Sequence, residues 1–447
     1  MKIVNDQPES AAVCEPQEPT EGNLFVSAYP PFSCWKPEFV PGIDQALRTV
    51  SANQQDVPLG LYVHIPFCLQ RCEFCYYRSF ADPAADTIDS YLNALINEIR
   101  IYGELPRIAG RPLAFAYFGG GTPSILSAGQ LQRLFQGIQS TFPSTDIQEV
   151  TFECSPKTAT RERLEKLRQV GVTRISMGIQ QLNDDVLRQS GRVHLVEDVK
   201  RAYAEIRRCD FDVVNVDLMV GLVGETEESF QNSLDEVIAM TPDSITFYQL
   251  EIPANTPLFR ALHNNEVAAP VGWDVKRVRL ADAFTTLETN GYTLRSAYAA
   301  VRDPARHRFL YQELQYRGAD LVGTGLASFS YAAGTHYQNV GSLREYHERL
   351  AANRLPYNRG YVLSPADQAV REFVLQLKLG KVEASYFADK FGISIGEQFA
   401  APLQRFSEAG WLAVDESIVT LTRQGLLRVD RMLPEFYLPQ HQDVSYW

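Results

Sequence analysis

Positive charge is in short supply: 42 Lys and Arg stand against 54 Asp and Glu, a formal charge of −12. That balance repels a phosphate backbone, and no local basic patch offsets it, so a nucleic-acid partner is not expected. Long hydrophobic runs are missing as well. Nothing approaches the roughly 18 apolar residues of a bilayer span, and the opening "MKIVNDQPES" lacks the basic end and apolar stretch of a secretory signal. A cytoplasmic protein without a membrane partner is expected. Cysteine is scarce and odd in number, seven in 447 residues, which fits a reducing compartment better than a disulfide framework. Cys14, Cys34, Cys154 and Cys209 each stand alone and read as small buried or incidental residues.

What the chain does have is a large core: 45% of its residues are hydrophobic, enough for one large domain with one or two small ones. Residues 1–58 hold eight of the 25 prolines and little periodicity, which predicts an extended arm, disordered over its first twenty residues. Phe25, Tyr29, Phe32, Trp35 and Phe39 imply that its later part packs as a strap or a lid. From 59 to 262 short apolar runs alternate with amphipathic stretches. The runs are "LYVHI", "AFAYF", "EVTFE", "RISMG", "VVNVDLM" and "SITFYQL". Six such alternations predict an α/β fold with a partial, six-stranded parallel β/α barrel. Residues 263–364 are expected to close the barrel, and 365–447 to form a small helical, winged-helix-like domain and tail. The helix of that domain best placed to read DNA, "GEQFAAPLQRFSEAG", has one Arg against two Glu, a poor match to phosphates.

In such a barrel chemistry sits at the C-terminal ends of the strands. The stretch "HIPFCLQRCEFCYYRSF" puts Cys68, Cys72 and Cys75 directly after the first run. "GGGTPS" follows the second run, Glu153 ends the third, "GIQQ" ends the fourth and Asp217 lies late in the fifth. All of them fall on one rim. Structural zinc needs four protein ligands; His64 is the available fourth, in the strand before Pro66. A four-iron cluster held by three thiolates instead keeps one iron open, where an amino acid's amine and carboxylate can chelate. The adjacent "GGGT" offers backbone N–H groups suited to the same moiety.

C-x3-C-x2-C on this loop resembles the signature of radical S-adenosylmethionine enzymes. With "YFGGGTPS", "RISMGIQQLNDDVLRQSGR" and "VNVDLMVGLVGETEESF", the chain resembles the oxygen-independent coproporphyrinogen III oxidase (HemN-like) family. The resemblance implies that Cys68, Cys72 and Cys75 hold a [4Fe–4S] cluster whose free iron binds S-adenosylmethionine, cleaved reductively to a 5′-deoxyadenosyl radical. It places Tyr62, Phe74, Gly120, Gly121, Thr122 and Glu153 at the first cofactor molecule. Gln180, Arg192 and Asp217 match a second S-adenosylmethionine site. A flavodoxin-type or other reducing protein is implied as electron donor.

Two departures separate this chain from its relatives. The coproporphyrinogen dehydrogenases carry a further cysteine where Tyr77 stands, and the family's haem chaperones carry a Gly-Ala-His-Ser segment where "GTGLASFS" places Ala327. What remains is methyl or methylene transfer (C-methylation, cyclopropanation) to an sp² carbon of an unsaturated small molecule; tetrapyrrole oxidation and a haem chaperone are the alternatives. Tyr76, Tyr77 and Arg78 are candidates for substrate choice. His307, Tyr311 and His336 are either proton donors or ordinary hydrogen-bonded residues.

Overall fold

The computed structural model describes residues 24–50, 55–143 and 147–446. Cys14 and the first twenty residues lie outside them. Each of the six apolar runs forms a strand: β1 (Leu59–Ile65), β2 (Leu113–Gly120), β3 (Glu149–Cys154), β4 (Arg174–Gln180), β5 (Val213–Val220) and β6 (Ser244–Gln249). They pair parallel in chain order. Helices cover them because the intervening stretches carry apolar residues at helical spacing. In Ala128–Thr141, for example, Leu131, Leu134, Phe135 and Ile138 are buried, and Ser127 and Gln130 form a reciprocal capping box at its start. The Phe135 ring lies 4.8 Å from Phe118 of β2. Truncating a core Leu of this kind to Ala costs about 2–5 kcal/mol.

The expectation of a six-stranded barrel requires correction. One sheet of twelve strands is present, and the region 263–364 lengthens it at both ends. At one edge β7 (Thr293–Leu294) and β8 (Ala299–Val301) add antiparallel to β6. At the other, β9 (Asp320–Thr324) runs parallel to β1 and leads into the antiparallel meander β10 (Phe329–Ala332), β11 (Thr335–Asn339) and β12 (Tyr357–Val362). The physical reason is that β1 and β6 would otherwise present unpaired edges. Added strands of two to six residues satisfy those edges, yet are too short to show a period in sequence.

The arm contains more regular structure than its prolines suggest. Val40–Arg48 is a helix with Pro41 in its first turn, where a missing N–H costs nothing, and it buries only Ile43 and Leu47. Residues 365–446 combine helices such as Pro365–Leu377 and Ala400–Glu408 with a three-stranded ribbon, β13 (Lys381–Glu383), β14 (Leu412–Val414) and β15 (Ile418–Leu421). They enclose a second core in which Phe373 stacks on Phe399 at 4.2 Å, and Val26 and Tyr29 of the arm join it. Among the described residues no helix is long and apolar enough to cross a membrane.

Candidate active site

The core strands are buried almost throughout, and each opens at a position near its C-terminal end: Tyr62, Tyr117, Glu153, Gly178, Asp217 and Tyr248. Tyr62 stands opposite Tyr117 and Gly178 opposite Asp217, while Glu153, Gly178 and Tyr248 each lie two residues beyond the partner of Tyr117, Glu153 and Asp217, on the same face. Strand alternation therefore turns one residue of every strand into a common recess.

The cysteine loop lies across this rim. Its start, Phe67–Cys68, pairs with Phe80–Ala81 as a small parallel ribbon. On one side Glu73 N donates to Ser190 O (3.1 Å) and Gln70 Nε2 to Gly191 O (3.1 Å). On the other, Leu258 N donates to Glu73 O (2.8 Å) and Asn255 Nδ2 to Tyr76 O (3.1 Å). Thr122 Oγ1 donates to Cys68 Sγ (3.5 Å) and Arg192 Nη1 to Cys72 Sγ (3.1 Å), so two sulfurs already face donors. Burial pushes the Cys75 thiol up to about 11 and raises Cys68 as well; a bound cation is what returns such sulfurs to thiolates. Among the described residues no three His, Cys, Asp or Glu side chains converge on one ion. Three cysteines on one loop suit an iron–sulfur cluster, whose thiolates each bind a different iron. His64 is buried with both ring nitrogens near protein partners: Nδ1 is 3.1 Å from Tyr62 Oη and Nε2 is 3.4 Å from Arg78 O.

The glycine segment is tied into the surrounding strands and loop. Gly120 N donates to Glu153 Oε2 (3.2 Å), Gly121 N to Ile65 O and Thr122 N to Phe67 O (both 2.8 Å). These N–H groups are engaged within the protein. Gly120 is required by its φ of +111°, and Gly121 because a Cβ there would lie 2.7 Å from Phe67 O. Their service is to let β2 approach the cysteine loop closely. Glu153 accepts from Tyr117 Oη (2.7 Å) as well as Gly120 N, and burial raises its carboxyl to about 7. Phe74 turns away into an apolar group with Val186, Met219 and Leu222.

Gln180, Arg192 and Asp217 do come together. A Cβ added to Gly178 would lie 3.0 Å from Gln180 Nε2, 3.9 Å from Arg192 Nη2 and 4.0 Å from Asp217 Oδ2. Arg192 Nη2 donates to Gly178 O (2.6 Å); Asp217 accepts from Asn215 Nδ2 (2.8 Å) and Ser176 Oγ (3.2 Å). Burial raises Asp217 to about 6. Gln180 Oε1 and Arg192 Nε are buried without a partner, and Gln180 holds a φ of +67°. Unpaired buried polar atoms and a positive φ thus occur together beside Gly178.

Tyr76 and Tyr77 stack at 4.6 Å beside this recess, and Arg78 is exposed over the Phe80 ring. Tyr77 is 46% and Tyr248 43% exposed, yet desolvation pushes the Tyr77 phenol up to about 12 and Tyr248 well above 10. Both rings are thus partly open to solvent at the rim while packed among other polar groups. Tyr311 packs on Tyr117 at 4.6 Å and joins the same wall. His307 is elsewhere, near Asp243 at the opposite ends of the strands. His336 is buried, accepts from Arg371 Nε (3.1 Å) and stacks on Trp35, a packing role. Sequence reasoning missed Tyr117 and Tyr248; their alternation with buried neighbours in "AFAYF" and "SITFYQL" was the available signal.

Residues 62–237 match the Radical SAM superfamily and residues 363–428 the HemN C-terminal domain. Over residues 62–237 the chain is thus similar to the radical SAM superfamily, a class that carries a [4Fe–4S] cluster and uses S-adenosylmethionine. The chain is 29% identical to the haem chaperone HemW of Bacillus subtilis over 82% of this chain and 96% of that one. To the oxygen-independent coproporphyrinogen III oxidase of Escherichia coli it is 28% identical over 86% and 87%. The structure of that oxidase, HemN, superimposes with a TM-score of 0.79 at 25% identity, covering 92% of this chain and 96% of the other. These relatives are an oxidase and a chaperone, so they give the methyl-transferring branch no support.

Proposed function

We propose that Cys68, Cys72 and Cys75 hold the cluster and that the rim accepts S-adenosylmethionine at two places, for methyl or methylene transfer to an sp² carbon of an unsaturated small molecule. The observation that carries this reading is the group around Gly178, where Gln180 and Arg192 each keep a buried polar atom unpaired. When bound, the cluster and cofactor supply one-electron cleavage of the sulfonium and a carbon-centred radical. The chain's own residues bind and orient. Arg192 suits a carboxylate, Asp217 an amine or ribose hydroxyl, and Glu153 is held in place by Tyr117 and Gly120. The tyrosine wall offers flat apolar faces to a conjugated substrate. An external one-electron reductant completes the reaction.

The relatives favour a second reading, oxidative decarboxylation of a tetrapyrrole. Tyr77, standing where those oxidases have a cysteine, weighs against it. The chaperone reading meets Ala327, whose N–H bonds to Val340 O and whose carbonyl accepts from Gln338, with no imidazole at that position. The test is anaerobic turnover with methyl-labelled S-adenosylmethionine, following deoxyadenosine and label by mass spectrometry. Label passing to an unsaturated acceptor supports transfer. Deoxyadenosine with label retained and carbon dioxide released from coproporphyrinogen overturns it in favour of the oxidase, and an intact cluster without deoxyadenosine overturns both.

A further inference from the structure

Outside the rim, three parts of the chain bring together Cys34, His441 and Asp367. Cys34 closes the turn Phe32–Cys34 of the arm, Asp367 stands in the first turn of Pro365–Leu377, and His441 lies in the tail. Cys34 Sγ is 3.6 Å from His441 Nδ1, and His441 Nε2 is 3.3 Å from Asp367 Oδ1. Asp367 and His441 are buried, whereas Cys34 is half-buried and is the member a solute can reach. Tyr29 Oη donates to the same Asp367 oxygen (3.3 Å), Tyr361 Oη lies 3.4 Å from His441 Nε2, and Lys36 is the nearby cation.

A carboxylate beside Nε2 fixes the proton on that nitrogen, which leaves the lone pair of Nδ1 turned toward the thiol. Burial raises the Cys34 thiol and lowers the His441 imidazole, so both rest uncharged. A thiol in that state reacts when a neighbouring base takes its proton as the new bond forms.

We propose that Cys34 is a thiol–disulfide exchange site at which His441 accepts the thiol proton and Asp367 is the positioning residue that fixes its tautomer. The sulfur of Cys34 attacks one sulfur of a low-molecular-weight disulfide. A new S–S bond forms as the old one breaks, and the electron pair of the broken bond leaves on the departing sulfur. The proton travels from Cys34 through His441 to that leaving group. Cys34 is oxidised, the disulfide is reduced, and no further oxidant is needed. Cys34 stands where the arm and the tail meet, joined by Ser33 Oγ to Ser445 O and by Tyr446 Oη, which accepts from Ser27 N and Ala28 N. The site is independent of the reaction proposed for the rim.

The experiment treats the anaerobic, full-length protein with oxidised glutathione across a pH series and quantifies adducts by peptide mass spectrometry. Cys209 is the internal reference: it is also half-buried, and its neighbours are Glu165, Glu205 and Arg161. Cys34 is expected to react about tenfold faster than Cys209 near neutrality, with a rate that levels between about pH 7 and 8.5 while that of Cys209 climbs about tenfold per unit. His441→Gln is expected to remove the plateau and slow Cys34 about tenfold. Asp367→Asn, isosteric and still able to cap its helix, is expected to lower the plateau severalfold. A Cys34 rate no greater than that of Cys209, in the unmodified protein and so free of any folding defect, overturns the proposal. An unchanged pH profile in His441→Gln does the same, and an unchanged plateau in Asp367→Asn removes Asp367 from it.

Discussion

The two halves of the rim are finished to different degrees. On β1 to β3 the polar groups already have protein partners: Glu153 takes donors on both oxygens, and the N–H groups of Gly120, Gly121 and Thr122 are spoken for. On β4 to β6 Gln180 Oε1 and Arg192 Nε lie buried and unpaired, each at a cost of roughly 1–3 kcal/mol. The first half is therefore satisfied within the protein, while the second carries unused hydrogen-bonding capacity. Arg192 joins them, with one nitrogen on Cys72 and another on Gly178 O.

The sharpest way to break this contrast is at the thiols. Cys72→Ala is expected to abolish the broad absorbance near ~400 nm typical of thiolate-bound iron–sulfur centres, together with all deoxyadenosine formation. Circular dichroism should show the fold retained, because Cys72 is only half-buried; loss of fold instead would make the trio a structural metal site. Next in size, Asp217→Asn in the second half is expected to lower label transfer at least tenfold while deoxyadenosine persists, measured in the same turnover assay. Equal loss of both would erase the distinction between the halves.

A pH titration sharpens it further. Burial raises Glu153 from 4.5 to about 7 and Asp217 from 3.8 to about 6, so the folded state binds protons more tightly than the unfolded one. Without cofactor, the stabilising contribution is full below the unfolded values and is lost as pH rises through the folded ones. Glu153→Gln should flatten the denaturant stability curve between pH 4.5 and 7, and Asp217→Asn only between 3.8 and 6. The smallest effect belongs to Tyr117→Phe, which removes one donor from Glu153. A loss of about 1 kcal/mol and a further upward shift of that carboxyl are expected, read by denaturation and by titration of the Glu153 side chain in labelled protein.

Much of this was legible from residue order. The six runs became six strands because buried parallel strands are written as uninterrupted apolar segments, and the rim followed because their ends are where loops carry chemistry. The added strands β7 to β12 were not legible, being edge pieces specified by what they pair with. The helix Val40–Arg48 was hidden by a proline that its first turn tolerates. His307 fell at the wrong end of the strands and His336 into a packed stack, since a lone histidine carries no address in sequence.

The sequence by itself determined the cysteine spacing, the parallel core and the glycine turn, all of them local patterns whose geometry is set within a few residues. Tertiary structure alone decided that the glycine N–H groups face inward and that Gln180, Arg192 and Asp217 surround one glycine. It also decided that Cys34 meets a histidine some four hundred residues away. Those meetings depend on how separate strands and the two chain ends pack, and packing partners leave no periodic trace along a chain.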